Sequence, residues 1–246
     1  MGSSRLPGKS LMLLAGRPAL GHVIDRAGRA KLIDDIWVAT TTDKKDDKLA
    51  RFAGSCKARV FRGNEDDVLD RFYQAAKSAK AKAGNIIVRL TGDCPLLDPK
   101  LIDEVIRYIK RGKYDFATNC CPPSLPDGFD VEAVTFAALE RVWISAKLAS
   151  EREHAFSFIV RNPDLFKIGR IIKKPDLSAY RLTLDYPADL RFLNLLMKEE
   201  KKYGKGFGLK KIINILKKHS DWLEIISGKV RNENYFKSLK DDRIVK

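Results

Sequence analysis

Short runs of β-branched and aromatic residues alternate with amphipathic stretches along most of this chain. The strand-like runs fall at residues 36–40, 59–61, 86–90, 114–118, 131–134, 166–172 and 181–184. Between them, apolar residues recur at helical spacing, as in Leu20, Val23, Ile24 and Ala27. Strands joined through covering helices cross over with one handedness. The alternation therefore predicts an α/β fold of the Rossmann-like type, with three layers (α/β/α) and a mostly parallel mixed sheet.

The two ends of the chain depart from this alternation. The chain opens in a loop that leads into a helix, whereas a Rossmann-like sheet normally begins with a strand, so the first strand is missing from the expected pattern. After Leu184 only helical patterns follow. We therefore expect an α/β domain over residues 1–202 and a helical C-terminal extension over residues 203–246 that packs on the same domain.

Composition excludes several classes of protein. The 246 residues contain no run of about 18 uncharged apolar residues, so we expect no membrane span, and the first residues do not resemble a signal peptide. Four cysteines without CxxC spacing fit a reduced, cytoplasmic protein. The formal net charge is +15, but the lysines crowd mainly in residues 198–218 without an RNA-binding motif. We expect a solvated basic face and no nucleic-acid partner.

The N-terminal loop has the composition of a phosphate-binding site. Residues 2–9, with the sequence GSSRLPGK, combine small residues that allow close approach to the backbone with the cations of Arg5 and Lys9. The spacing is not that of a Walker loop, because five residues separate Gly2 from Gly8. On composition alone, a flexible N-terminus explains the loop equally well.

Two aspartates follow apolar runs at points where open α/β sheets bind ligands. Asp93 comes shortly after the run at residues 86–90, and Asp185 comes directly after the run at residues 181–184. Each has a structural alternative, since Asp93 suits a turn and Asp185 suits a helix N-cap. Magnesium takes one or two carboxylates together with substrate phosphates. The pair and the cationic loop together favour a magnesium-dependent site for nucleotidyl transfer.

Several motifs in fixed order resemble one family. They are GSSRLPGK, VATTTDKKDD, FRGNEDDVLDRF, RLTGDCPL, SEREH and LDYPADL. The chain resembles the cytidylyltransferases that make CMP-sugars from acylneuraminate and 3-deoxy-octulosonate, and most of all the spore-coat polysaccharide F-type branch. The resemblance implies a nucleotide-diphospho-sugar transferase fold, Mg²⁺ as cofactor and a homodimer. In those relatives a strand precedes the position of Met1, so we expect that the natural start lies upstream.

The resemblance also implies roles for individual residues. Arg5, Lys9, Asp93 and Asp185 are the expected catalytic residues, and Asp93 and Asp185 are the expected metal ligands. The expected nucleotide-binding residues are Gly2, Ser3, Ser4, Arg5, Lys9, Arg62, Asp67, Arg89 and Thr91. The expected sugar-binding residues are Asp127, Asp130, Glu132, Glu151, Arg152 and His154. Structural packing is an alternative for the sugar-side residues, above all for His154, whose neighbours are apolar.

The implied reaction is transfer of CMP from CTP to a sugar, of the acidic or a related cell-surface kind, with release of pyrophosphate. CTP and a sugar acceptor are therefore the expected partners. Two alternatives remain open from the sequence. One is a glycosyltransferase that consumes a nucleotide sugar, because the two classes share a sheet and an acidic metal site. The other is a non-catalytic module that only binds nucleotides.

Overall fold

The structure is a computed structural model that describes Ser3, residues 5–228, Arg231, residues 233–240 and residues 242–245. The helices are α1 (Ala19–Gly28), α2 (Asp47–Ser55), α3 (Val68–Ser78), α4 (Pro99–Gly112), α5 (Phe136–Ser145), α6 (Ala149–Glu153), α7 (Ser157–Arg161), α8 (Pro187–Tyr203), α9 (Leu209–Lys218) and α10 (Glu233–Lys240). The strands are β1 (Leu13–Leu14), β2 (Arg17–Pro18), β3 (Trp37–Thr41), β4 (Arg59–Gly63), β5 (Ile86–Arg89), β6 (Phe116–Thr118), β7 (Glu132–Thr135) and β8 (Ile168–Arg170). None of the described helices has the length and apolar character needed to cross a bilayer.

The helices bury the faces that their sequence periodicity predicts. In α1 the residues Leu20, Val23, Ile24 and Ala27 are all buried. The N-termini of α3 and α4 are closed by aspartate caps, since the side chain of the residue before each helix accepts a backbone N–H from the first turn. Such a cap satisfies one of the amides that a helix start leaves unpaired.

The central sheet is mixed. Its order is β5-β7-β6-β8, in which β7 is antiparallel to both neighbours and β6 is parallel to β8. A separate parallel pair is formed by β3 and β4. Together with the helices on both faces, this arrangement confirms the predicted Rossmann-like α/β class. Helix α9 belongs to the same core, because its residues Ile212 and Leu216 cluster with Ile102 of α4.

The run at residues 181–184 is not a strand, so that part of the prediction is wrong. Arg181 makes one isolated bridge to Asp127, and the next main-chain bonds go to two different loops. The amide of Leu182 donates to the carbonyl of Asp127 at 2.8 Å, and the amide of Leu184 donates to the carbonyl of Asp93 at 2.9 Å. The segment is extended and buried, but its amides join loops to one another instead of forming a ladder.

A cleft separates the β3–β4 pair from the central sheet. Cavities of about 290 and 360 Å³ lie between β3 and β5, with Trp37 and Ala39 on one side and Val88 on the other. Side chains of α1 and α3 line the cavities as well. Among the described residues, β3 pairs only with β4 and β5 pairs only with β7. In the described part of the chain the sheet is thus interrupted by a gap between β3 and β5.

Candidate active site

Asp93 and Asp185, although 92 residues apart, lie side by side at one lysine. The ammonium of Lys9 is 2.6 Å from Oδ2 of Asp93 and 2.8 Å from Oδ1 of Asp185. The main-chain bond from Leu184 to Asp93 joins the loops that carry the two carboxylates. The structure therefore brings the two predicted metal ligands and the predicted cationic loop to one point.

The carboxylate of Asp185 faces this point because another residue caps α8. The buried Asp189 accepts the backbone N–H groups of Asp185 at 2.7 Å and Tyr186 at 2.9 Å. Asp189 is itself paired with the guanidinium of Arg181. Since Asp189 satisfies the helix start, the Asp185 side chain turns to Lys9 and accepts the Thr183 hydroxyl at 3.0 Å. The N-cap alternative for Asp185 is thus wrong.

The electrostatics of the cluster favour charged groups. Burial alone would lower the pKa of Lys9, but the negative charges of Asp93 and Asp185 outweigh it and raise this pKa. Burial would raise the pKa of Asp185, but Lys9 and Arg5 hold it below its ordinary value. Arg5 Nη2 lies 2.9 Å from Asp185 Oδ1, and Arg5 Nη1 lies 3.5 Å from Glu233.

The remaining part of the loop is only partly described. Gly2 and Ser4, both expected to bind nucleotide, lie outside the described residues. The hydroxyl of Ser3 accepts the amide of Leu6 at 3.2 Å, which closes the turn before Lys9. The predicted loop therefore has a fixed fold where its two cations are placed.

The donor set at this point fits a magnesium ion. Two carboxylate oxygens, one from Asp93 and one from Asp185, converge on a single cation. No third histidine, cysteine or acidic residue joins them to make a full metal cage within the described part of the chain. Magnesium typically has such a site, with one or two carboxylates and the rest of its shell from water and substrate phosphates.

Two cavities border the turn that carries Asp93. The first, which we call the acidic cavity, has a volume of about 290 Å³. Its charged and titratable lining groups include Arg5, Arg89, Asp93, Asp127, Asp130, Glu132, His154, Arg181, Asp185 and Glu233. The second, the strand-end cavity, has a volume of about 850 Å³ and is lined by Ser10, Thr40, Thr41, residues 64–68, Arg71, Gly92, Arg152 and Arg243, among others.

The turn after β5 lies between the two cavities. Gly92 lines the strand-end cavity, while its neighbours Thr91 and Asp93 line the acidic cavity. Lys9 reaches Asp93 and Ser10 lines the strand-end cavity, so the N-terminal loop also borders both.

This geometry has the parts that nucleotidyl transfer requires, and comparison with known proteins decides between the sequence alternatives. A family model described as Cytidylyltransferase matches residues 1–216. The chain belongs to the cytidylyltransferase family. The predicted CTP-dependent transfer of CMP to a sugar is thereby confirmed, and the non-catalytic alternative is not supported.

Individual relatives extend over nearly the whole chain. An uncharacterized protein of Methanocaldococcus jannaschii is 35% identical over 237 residues, which is 95% of this chain and 93% of that protein. The spore coat polysaccharide biosynthesis protein SpsF of Bacillus subtilis is 31% identical over 206 residues, or 80% of this chain and 82% of SpsF. The solved structure of a cytidylyltransferase from Leptospira borgpetersenii superimposes with a TM-score of 0.83 at 33% identity and covers 94% of each chain.

In this cytidylyltransferase the residues expected to bind nucleotide are divided between the cavities. Asp67 lines the strand-end cavity, whereas Arg89 and Thr91 line the acidic cavity, where Arg89 is paired with Glu132. Arg62 is not among the residues that line either cavity. Its guanidinium donates to the carbonyls of Thr41 and Asp43, both at 2.8 Å.

The residues expected to bind sugar are divided as well. Asp127, Asp130, Glu132 and His154 line the acidic cavity. Gly128 has a φ of +102°, and a Cβ there would lie 2.8 Å from the carbonyl oxygen of Leu182, so glycine allows this loop its close approach.

The two remaining predicted sugar-side residues lie elsewhere. Arg152 lines the strand-end cavity, where its Nε lies 2.9 Å from Asp67. Glu151 is among the lining residues of neither cavity, and it accepts the amides of Lys147 and Leu148 at the start of α6. A capping role explains Glu151 without any ligand.

The sequence motifs did not predict that the C-terminal segment lines the cavities. By the C-terminal segment we mean the described residues among 231–245. Glu233 and Tyr235 line the acidic cavity, and Arg243 lines the strand-end cavity. The hydroxyl of Ser238 lies 3.1 Å from Nε2 of His154. The only available signal was the clustering of charged and aromatic residues in this segment, which is not specific to a binding site.

Proposed function

We propose that CTP binds with its cytidine in the strand-end cavity and that the sugar acceptor binds in the acidic cavity. The observation that carries this assignment is the turn at Gly92 and Asp93, which borders both cavities beside Lys9. The larger cavity lies next to the N-terminal loop, since Ser10 lines it. A nucleotide bound there can place its phosphates at that loop. Transfer then takes place where the cavities meet.

In this arrangement a hydroxyl oxygen of the sugar attacks the α-phosphorus of CTP in line. A new P–O bond forms, the bond to the β-phosphate oxygen breaks, and the hydroxyl proton leaves to solvent or a neighbouring carboxylate. Arg5 and Lys9 neutralise the charge of the departing pyrophosphate. Asp93 and Asp185 would hold Mg²⁺, which when bound neutralises phosphate charge. The protein otherwise positions the two reactants.

The lining of the acidic cavity supports a polyhydroxylated acceptor. Carboxylates such as Asp127, Asp130 and Glu132 accept hydrogen bonds from hydroxyl groups, and charge makes those bonds stronger. One relative, SpsF, is named for the biosynthesis of spore coat polysaccharide. A sugar precursor of such a polymer is the acceptor class that we propose.

Release of pyrophosphate tests this function directly. Purified protein, CTP and MgCl₂ should release pyrophosphate only when a suitable sugar is added, and a panel should include 3-deoxy-manno-octulosonate and N-acetylneuraminate. Mass spectrometry should detect the CMP-sugar. Consumption of a preformed nucleotide sugar, with no pyrophosphate from CTP, would support the glycosyltransferase alternative instead.

The cavity assignment predicts the effect of Asp67→Asn. The amide oxygen retains the cap of α3, but the negative charge that pairs with Arg152 is lost. The substitution weakens the charge-assisted hydrogen bond that holds Arg152 in the strand-end cavity, and such a bond is worth about 1.5–3 kcal/mol. We therefore expect the KM for CTP to rise about tenfold while the KM for the sugar is unchanged. Steady-state kinetics measure both constants. Asp70→Asn, on the same helix but outside the cavity lining, is the matched control, and a rise in the sugar KM alone would refute the assignment.

A further inference from the structure

The C-terminal segment lies beyond residues 1–216, which the family model matches, yet it closes one side of the acidic cavity. Asp242 accepts the amide and hydroxyl of Ser150 at 3.0 and 2.6 Å. The amide of Val245 donates to the carbonyl of Lys147 at 2.8 Å. These bonds attach the end of the segment to the body of the protein, so the residues before it are held against the cavity.

Arg231, at the start of this segment, contacts the cavity wall from behind. Its Nη2 lies 2.5 Å from Oδ1 of Asp130, its Nε lies 4.0 Å from Asp127, and its Nη1 donates to the carbonyl of Leu125 at 3.1 Å. Asp127 and Asp130 line the acidic cavity, whereas Arg231 is not among its lining residues. The guanidinium therefore contacts the two carboxylates without occupying space that a ligand would need.

We propose that Arg231 is a positioning residue for the acceptor: it fixes Asp127 and Asp130 so that these carboxylates accept hydroxyl groups of the sugar. This inference rests on the proposed function, because it assumes that the acceptor occupies the acidic cavity. Arg231 is suited to this task because a planar guanidinium bonds to several oxygens at once and stays charged.

The charge state of Asp130 depends on a balance that Arg231 controls. Burial raises the pKa of Asp130 to about 6, and Arg231 opposes that rise. The charged and titratable groups around Asp130 are Arg231, Asp127, Glu132, Cys94, Cys120 and Cys121. Arg231 is the cation bonded to Asp130, whereas Arg89 in the same cavity is paired with Glu132, and the acidic neighbours favour the protonated carboxyl. Without Arg231 the pKa of Asp130 must therefore rise further above 6, towards the pH of the assay.

Kinetics with Arg231→Gln test the proposal. With CTP and the sugar of the panel that gives the highest rate, we expect the KM for that sugar at pH 7 to rise about tenfold. The KM for CTP and the kcat at saturating sugar should stay within about twofold. In the parent the sugar KM should rise as the pH falls through about 6, and in the variant this midpoint should move to higher pH. Arg231→Lys keeps the charge but not the planar guanidinium, so it should restore the pH midpoint and only part of the affinity.

Two further variants separate this role from a structural one. Asp130→Asn cannot ionise, so it should raise the sugar KM and abolish the pH dependence in both backgrounds. Arg29→Gln, which removes an arginine paired with Asp25 at 2.6 Å on α1, should change neither KM. An unchanged sugar KM and midpoint in Arg231→Gln would overturn the proposal, as would equal losses for both substrates. If no sugar in the panel releases pyrophosphate even with the parent protein, the proposed function itself fails.

Discussion

Replacing Asp93 by asparagine is expected to lower kcat for CTP-dependent pyrophosphate release by on the order of 10³-fold, equivalent to about 4 kcal/mol of transition-state stabilisation. Asp93 and Asp185 converge on one cation, so loss of either charge removes half of the proposed protein ligands to Mg²⁺. The substitution preserves shape, and the turn after β5 keeps its main-chain bond to Leu184. Steady-state assays with Mg²⁺ varied from micromolar to millimolar measure the loss.

Asp25→Asn is the matched control for this experiment. Asp25 pairs with Arg29 on the exposed face of α1, and its replacement should leave kcat unchanged. Thermal unfolding of both variants shows whether the fold is retained. Parental turnover by the Asp93 variant would refute the role of this carboxylate in catalysis.

Replacing Lys9 by methionine is expected to have opposite effects on metal binding and on turnover. Lys9 now pairs with both carboxylates, so its removal leaves Asp93 without this ion pair and Asp185 with Arg5 as its nearest cation. A unit charge at this range is worth about 4 kcal/mol in a partly buried site. Affinity of the nucleotide-free protein for Mn²⁺, a spectroscopic substitute for Mg²⁺, should therefore rise at least about tenfold. The kcat/KM for CTP should fall about 10²-fold, because the cation that we propose to neutralise the phosphates is lost.

Electron paramagnetic resonance of free Mn²⁺ and pyrophosphate assays measure the two effects. Lys202→Met, which removes an exposed lysine paired with Glu199 on α8, should alter neither. If Mn²⁺ affinity did not change in Lys9→Met, the point where the two carboxylates meet would not be the metal site.

Local sequence patterns were sufficient to select two aspartates that the structure brings together at Lys9. An apolar run followed by an acidic residue identified both Asp93 and Asp185, because the end of such a run lies at a sheet edge or in a buried extended segment. The pattern selected Asp185, which lies beside Asp93 at Lys9, even though its run is not a strand. What mattered was burial of Leu182 and Leu184, which fixes the backbone direction.

Side-chain partners were less predictable, because they depend on pairing between distant segments. Arg62 is part of the motif expected to bind nucleotide. However, β4 pairs with β3 in a register that places Arg62 beside Thr40, and its guanidinium donates to the carbonyls of Thr41 and Asp43 at the end of β3. Arg231 has no local motif at all. Its partner Asp130 is 101 residues away, and only the folded C-terminal segment brings the two together.

The gap between β3 and β5 implies that the proposed nucleotide also stabilises the fold. The strand-end cavity takes Thr40 and Thr41 from one sheet and Gly92 from the end of the other, across an interface that no described ladder bridges. A cytidine bound there would contact both the β3–β4 pair and the turn after β5, and would hold the two together. Part of its binding free energy would then go into fixing the β3–β4 pair relative to the central sheet. The protein would therefore be most rigid in its complex with the nucleotide.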